Sequence, residues 1–209
     1  MPSPISSVCL VGGRLAIDFA NLPSLPASGQ SSGLSWEEFV GFLHVTHIVS
    51  LDRAEELGKL TDSDAQAAYD LLGRAERLRD ALRLVFRALA EEDRVSGEWI
   101  APINEVLRVT EGHDELLQTT SHNWRMEYIA REGGLDWLLA AIARSAAELI
   151  VEDQPSQVHL CANPACSLFF YDNSRTRRRR WCSMAHCGNR HKVAAFARRR
   201  TLKKRAAGA

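Results

Sequence analysis

Residues 161–205 read CANPACSLFFYDNSRTRRRRWCSMAHCGNRHKVAAFARRRTLKKR. Four cysteines fall here in two pairs, Cys161/Cys166 and Cys182/Cys187, with four residues inside each pair and fifteen between the pairs. Zinc takes soft ligands at the corners of a tetrahedron, and a short loop inside each pair lets both sulfurs turn inward. A spacer of this length suits a hairpin between two metal-binding corners. The expectation is one structural Zn2+ on Cys161, Cys166, Cys182 and Cys187. A closed shell of four thiolates leaves no position for water or substrate, so the metal holds together a segment too small to fold on its own core. Two disulfides are the competing reading. Nothing in the chain suggests export, and a reducing compartment disfavours them.

Working outward, Val158 to Leu160 and Leu168 to Tyr171 are apolar runs that bracket the first cysteine corner, so a hairpin is expected with Cys161 and Cys166 in its turn. Ser183 is placed to cap a final helix running to about Lys204, with Cys187 in its first turns. Val193, Phe196 and Ala197 form an apolar stripe at helical spacing, predicted to pack on Leu168, Phe169 or Phe170. That packing leaves Arg190, Lys192, Arg198 and Arg199 facing out, and the loop before the helix adds Arg175, Arg177, Arg178, Arg179 and Arg180. A guanidinium donates two parallel hydrogen bonds to a phosphate, so these nine residues are the candidate nucleic-acid contacts, with double-stranded DNA the expected partner. Trp181 is read as packing beside the zinc, Gly188 as allowing a close approach and Asn189 as bonding to the zinc-loop backbone. Cys9 is read as a small buried hydrophobe.

The run WCSMAHCGNRHK, preceded by LFFYDNSRTRRRR, closely resembles the CGNR zinc-finger family of bacterial proteins; the tetrad itself is Cys187-Gly188-Asn189-Arg190. In that family the finger follows a helical domain called ABATE, and the resemblance implies a zinc-dependent, DNA-binding regulator of transcription induced by stress. The segment GGRLAIDFAN, residues 12–21, is similar to the opening of the ABATE domain, where Asp-Phe and Asn follow a Gly-Gly turn. That pattern usually continues with Thr where this chain has Leu22.

The formal net charge is zero, but residues 1–172 carry 13 Lys+Arg against all 26 Asp+Glu, while residues 173–209 carry 13 Lys+Arg and no acid. A charge of −13 followed by +13 describes an acidic body with a basic, partner-binding end. The start, MPSPISSVCLVGGRLAID, lacks a basic region followed by an apolar one. No stretch approaches the roughly 20 apolar residues of a membrane span. A cytoplasmic location and no membrane partner are expected.

The body reads as mainly helical. Leu15, Ile17 and Phe19 alternate after the Gly12-Gly13 turn, and Asp18 and Asn21 are candidates either for a ligand pocket or for fixing the backbone through side-chain hydrogen bonds. Ser35 with Glu38 forms a capping box for a helix over 36–50. His44 and His47, three apart on it, lack a third metal ligand nearby. A short helix follows over 52–58, then the longest, from Thr61 to about Asp93, with Leu71, Leu72, Ala75, Leu78, Leu82, Val85, Phe86 and Leu89 in its buried stripe. Its arginines read as a solvated face, with Arg79 and Arg83 the candidates for holding an anionic ligand. A helix over 98–109, a hairpin from 116–119 and 124–129, and an apolar helix over 135–151 complete the body.

The expected fold is therefore mainly α with an α+β element. Residues 1–154 form a helical domain with a small hairpin, and residues 155–209 form a treble-clef-like finger of hairpin and long basic helix. As separate units, the finger would unfold on loss of a zinc ligand while the body stayed folded. The leading function is a DNA-binding regulator whose body senses a small effector or forms a homodimer. A protein- or RNA-binding finger is the alternative. A nuclease is the least favoured: His186, Asn189 and His191 have suitable residue types, but a closed metal shell offers no open position, and no enzymatic activity is expected.

Overall fold

In the computed structural model, which describes residues 10–22, 33–109, 112–118, 124–130, 135–151, 157–194 and 196–197, the body is built around one long helix. The first helix, α1 (Leu15–Ala20), follows the Gly12-Gly13 turn and is buried on every side except at Leu15. The alternation of Leu15, Ile17 and Phe19 is thus not a strand signal. A helix with no solvent face shows no helical period, because nothing polar marks its outside. Phe19 packs against the rings of Phe39 and Phe42 at 6.3 and 5.4 Å between centroids.

Those two rings belong to α2 (Trp36–Val45), whose start is the expected capping box: Glu38 N donates to Ser35 Oγ and Ser35 N to Glu38 Oε2. The helix stops five residues short of the expected end, where His47 takes a left-handed φ of 59°. Ser50 Oγ accepts from Arg53 N and starts α3 (Leu51–Gly58). A single turn, α4 (Leu60–Ser63), precedes α5 (Ala65–Ala90), so the long helix starts later than Thr61. Its cap is Asp64, which accepts from Ala67 N at 3.0 Å. Of the expected α5 stripe, Leu71, Ala75, Leu78, Leu82, Val85, Phe86 and Leu89 are buried, while Leu72 is only half-buried at its edge.

Helices α6 (Gly97–Val109) and α7 (Trp137–Val151) pack on α5 and on each other. Between them β1 (Gly112–Gln118) and β2 (Trp124–Ala130) pair antiparallel from Gly112↔Ala130 to Gln118↔Trp124. An ion pair joins Arg74 of α5 to Asp136, just ahead of α7. The Ala16 amide donates to Ser145 Oγ at 3.2 Å, tying α1 to α7.

The second hairpin, β3 (Val158–Leu160) with β4 (Phe169–Tyr171), is antiparallel in the register Val158↔Tyr171. It lies against α5 and α1. Val158, Phe169 and Tyr171 belong to the same apolar core as the helices, and the Phe169 ring stands 6.2 Å from that of Phe86. The hydrophobic core therefore runs without a break from the helical body into the zinc hairpin.

Candidate metal centre and arginine loop

The two cysteine corners are built differently. In the first, the chain leaves β3 at Cys161 and turns back, closed by Cys161 N to Leu168 O at 2.9 Å and Cys166 N to Asn163 O at 2.8 Å. In the second, a π-helical turn (Met184–Gly188) opens with Gly188 N donating to Ser183 O at 3.0 Å. The serine hydroxyl does not cap it; Ser183 Oγ lies 3.3 Å from His186 Nδ1. A π turn is wider than an α turn by one residue. That width lets Cys182 and Cys187, five apart, aim at one point, with 3.7 Å between their sulfurs.

All four Sγ atoms lie within 4.8 Å of one another, and Cys166 and Cys182 are 3.8 Å apart. A tetrahedral zinc with Zn–S bonds of about 2.3 Å separates its sulfurs by about 3.8 Å. The donor set therefore fits one structural zinc, held by Cys161, Cys166, Cys182 and Cys187. Asn163 Nδ2 reaches Cys187 Sγ at 3.3 Å and Cys182 N reaches Cys161 Sγ at 3.5 Å, the outer bonds that orient thiolate ligands. Burial pushes the Cys161 thiol up. The hydrogen bond between Cys166 and Cys182 draws Cys166 down to about 5 and pushes Cys182 up. Four close sulfurs cannot all ionise without a cation, so binding the metal releases protons.

The CGNR residues serve this corner. A Cβ on Gly188 would lie 2.7 Å from Met184 Sδ and 3.4 Å from Trp181 Cδ1. Asn189 Nδ2 donates to Ala185 O at 3.3 Å. Trp181 packs beside the zinc cluster and stacks on His191 at 4.7 Å. His186, Asn189 and His191 are thus occupied with Ser183, Ala185 and Trp181.

Between the corners runs the arginine loop, and its organiser is Asp172, which the sequence did not single out. Asp172 has no exposed surface. Its carboxylate accepts from Ser174 N at 2.9 Å and Arg179 N at 2.8 Å, closing the loop like a staple. Burial pushes its carboxyl up, but the bonds from Ser174 and the Arg179 amide outweigh burial and hold it below the ordinary carboxylate range. The pattern Asp-x-Ser at the head of a basic run is the signal that could have found it. Arg177 sits at a left-handed φ of 48° at the tip. Arg175, Arg177, Arg178 and Arg180 are exposed, as are Arg190 and Lys192. Arg198 and Arg199 lie outside the described residues.

Arg179 differs from its neighbours. Its guanidinium turns inward, donating to Trp181 O (3.0 Å), Val11 O (3.3 Å), Tyr171 O (3.5 Å) and Cys182 O, and lies 4.6 Å over the Phe170 ring. A guanidinium so engaged has no free fork for phosphate. The exposed arginines of the loop are therefore Arg175, Arg177, Arg178 and Arg180.

The segment Val11–Asn21 clasps the finger. Asn21 Nδ2 donates to Phe169 O at 2.9 Å while Asn21 Oδ1 accepts from Phe169 N at 2.8 Å. Tyr171 N donates to Gly12 O at 2.7 Å, and Arg14 lies 4.4 Å over the Tyr171 ring. Asp18 fixes the turn beneath, accepting from Gly12 N at 2.6 Å. Burial raises its carboxyl to about 6 against the amides of Gly12, Val11 and Gly13, which lower it. A Cβ at Gly12 would meet Ile17 Cγ2 at 2.6 Å and the Asp18 amide at 2.9 Å, and Gly13 has a φ of +75°. Of the two readings of Asp18 and Asn21, the structure realises the backbone-fixing one.

Arg79 is 4 % exposed and Arg83 half-buried one turn on. Arg79 pairs with Asp80 at 3.0 Å, while its Nη1 is buried with no hydrogen-bond partner among the described residues. Burial lowers Arg83 from its ordinary value, and the charge of Arg79 lowers it further.

One packing expectation is overturned. Val193 and Phe196 do not cover the hairpin; they are 68 % and 62 % exposed. The hairpin rings are already taken, Phe169 by Phe86 and Phe170 by the zinc cluster and Arg179.

Two family profiles match the chain. The CGNR zinc finger matches residues 157–200, and ABATE, described as "Putative stress-induced transcription regulator", matches residues 13–153. No curated protein matches it. Among the described residues no helix is long and apolar enough to cross a membrane.

Proposed function

Because the chain belongs to the ABATE family and carries a CGNR zinc finger, we propose that it regulates transcription by binding duplex DNA through the arginine loop. The observation that carries this reading is the Asp172 staple. It holds Arg175, Arg177, Arg178 and Arg180 pointing outward from a closed loop beside the metal centre. Preorganised arginines lose little entropy on meeting a phosphate row. When bound, the zinc supplies a crosslink between the hairpin and the terminal helix and does no chemistry on substrate. Its four-thiolate shell has no open position, which favours a binding protein over an enzyme. The acidic body repels nucleic acid, so the duplex meets the basic end alone.

The test is fluorescence anisotropy of the zinc-loaded full chain on duplex DNA across a salt series, with RNA as competitor. If six phosphates are neutralised, log K should fall with log salt at a slope of about −5. Absence of salt-sensitive duplex binding, or preference for RNA or an acidic polypeptide, would sink the proposal.

A second reading concerns the body. The buried Nη1 of Arg79, without a hydrogen-bond partner among the described residues and beside Arg83, favours a small anionic effector there. A thermal-shift panel of phosphate and simple carboxylates tests it; a stabilisation absent from Arg79→Lys supports it, and no shift from any anion removes it.

A further inference from the structure

We propose that Val193 and Phe196 contact thymine methyl groups in the major groove of the bound duplex, an inference that rests on the DNA-binding reading above. The terminal helix leaves the zinc corner through 189–194, and each described residue from 189 to 197 is exposed. Val193 and Phe196 stand three apart and so share one face. A bulky aromatic side chain 62 % exposed on a helix is costly in water, and among the described residues of this helix beyond the zinc corner none is buried to hold it in place. Both facts are resolved when the helix lies against a partner.

Charge selects that partner. No acid follows Asp172 in the sequence, and the apolar pair sits amid Arg190, Lys192 and the run from Arg198 to Arg205. A second copy's terminal helix would bring the same positive charge to the same place and be repelled. Two apolar side chains bury too little surface to anchor a helix in a lipid layer. A polyanion with apolar groups on its floor fits. The major groove is about 12 Å wide, admits a helix about 10–12 Å across, and exposes the thymine C5-methyl, which Phe can contact. Phosphates along its rim would meet the arginine loop and Lys192, leaving the apolar pair for the base edges.

The experiment enriches duplexes from a random pool with the zinc-loaded full chain. The enriched duplex is then made with thymine or with deoxyuridine, which keeps every hydrogen bond and charge and lacks only the methyl. Loss of two methyl contacts should weaken binding about tenfold. Val193→Ala/Phe196→Ala should bind the thymine duplex as weakly as the wild type binds the deoxyuridine one, with zinc content and salt slope unchanged. Equal affinity of the wild type for both duplexes would overturn the inference while leaving the DNA-binding reading intact. Absence of any salt-dependent duplex binding would overturn both. Phe196-dependent capture by anionic phospholipid vesicles, with duplex binding indifferent to Phe196, would also overturn it and assign the apolar pair to a membrane surface.

Discussion

At the scale of single residues, adjacent arginines have opposite assignments. Arg178 is exposed, whereas the Arg179 guanidinium joins four backbone carbonyls of the finger and of Val11. Arg178→Ala is expected to weaken duplex binding and lower the salt slope by about one. Its stability should stay within about 0.5 kcal/mol of wild type by urea denaturation. Arg179→Ala is expected to cost about 2–3 kcal/mol in the same measurement, because buried carbonyls lose a charged donor. Equal stability of the two variants would contradict the inward assignment. Asp18 adds a pH signature. Its folded value of about 6 exceeds its ordinary 3.8, so between those values the folded chain binds more protons than the unfolded one. Its contribution to stability is therefore fully present below about pH 4 and is lost as pH rises through about 6. Asp18→Asn removes this titration. The wild type should gain on the order of 2 kcal/mol relative to Asp18→Asn between pH 7 and pH 4.5, read from paired denaturation curves. A constant difference would mean that Asp18 is ionised throughout.

At the scale of elements, the informative case is the π turn. Its width, not a serine cap, brings Cys187 back to Cys182. Gly188 occupies the tight side of this turn, but what a Cβ would meet is the side chain of Met184, which is 52 % exposed and free to swing away. Gly188→Ala is therefore expected to keep a full zinc equivalent and to cost less than about 1 kcal/mol. Zinc loss measured by metal analysis would show that the turn cannot widen. In the helix that follows, Val193 and Phe196 were read as part of an apolar stripe packed on the hairpin, and both are exposed. The error concerned what its apolar face would cover, since spacing along one element says nothing about which neighbours are already taken.

At the scale of the whole molecule, the zinc hairpin and the helical body share a core. Phe169 fills space beside Phe86, and Asn21 satisfies both backbone groups of Phe169 from across the clasp. Removing the metal with a chelator, or by Cys182→Ser, should therefore do more than unfold the finger. The helical circular-dichroism signal is expected to melt several degrees lower as well, because losing the hairpin leaves a cavity on α5. An unchanged melting curve of the helices would show that the hairpin holds its place in the core without zinc.

The sequence by itself determined the four zinc ligands, the capping box at Ser35, the buried stripe of α5, both hairpins and the division of charge. Each of these is written in local spacing or composition, where the side chains that act lie within a turn or a short loop of one another. Only the tertiary structure decided that α1 is a helix, that Asn21 serves Phe169 and that Arg179 turns inward. It also decided that Asp172 organises the arginine loop and that Val193 and Phe196 stay uncovered. Those outcomes depend on partners far along the chain: Asn21 and Phe169 are 148 residues apart and Arg179 and Val11 are 168. A polar side chain carries no mark in the sequence of which distant carbonyl it will find. Burial is a competition among all elements for the same neighbours, so its result appears only when the chain has packed.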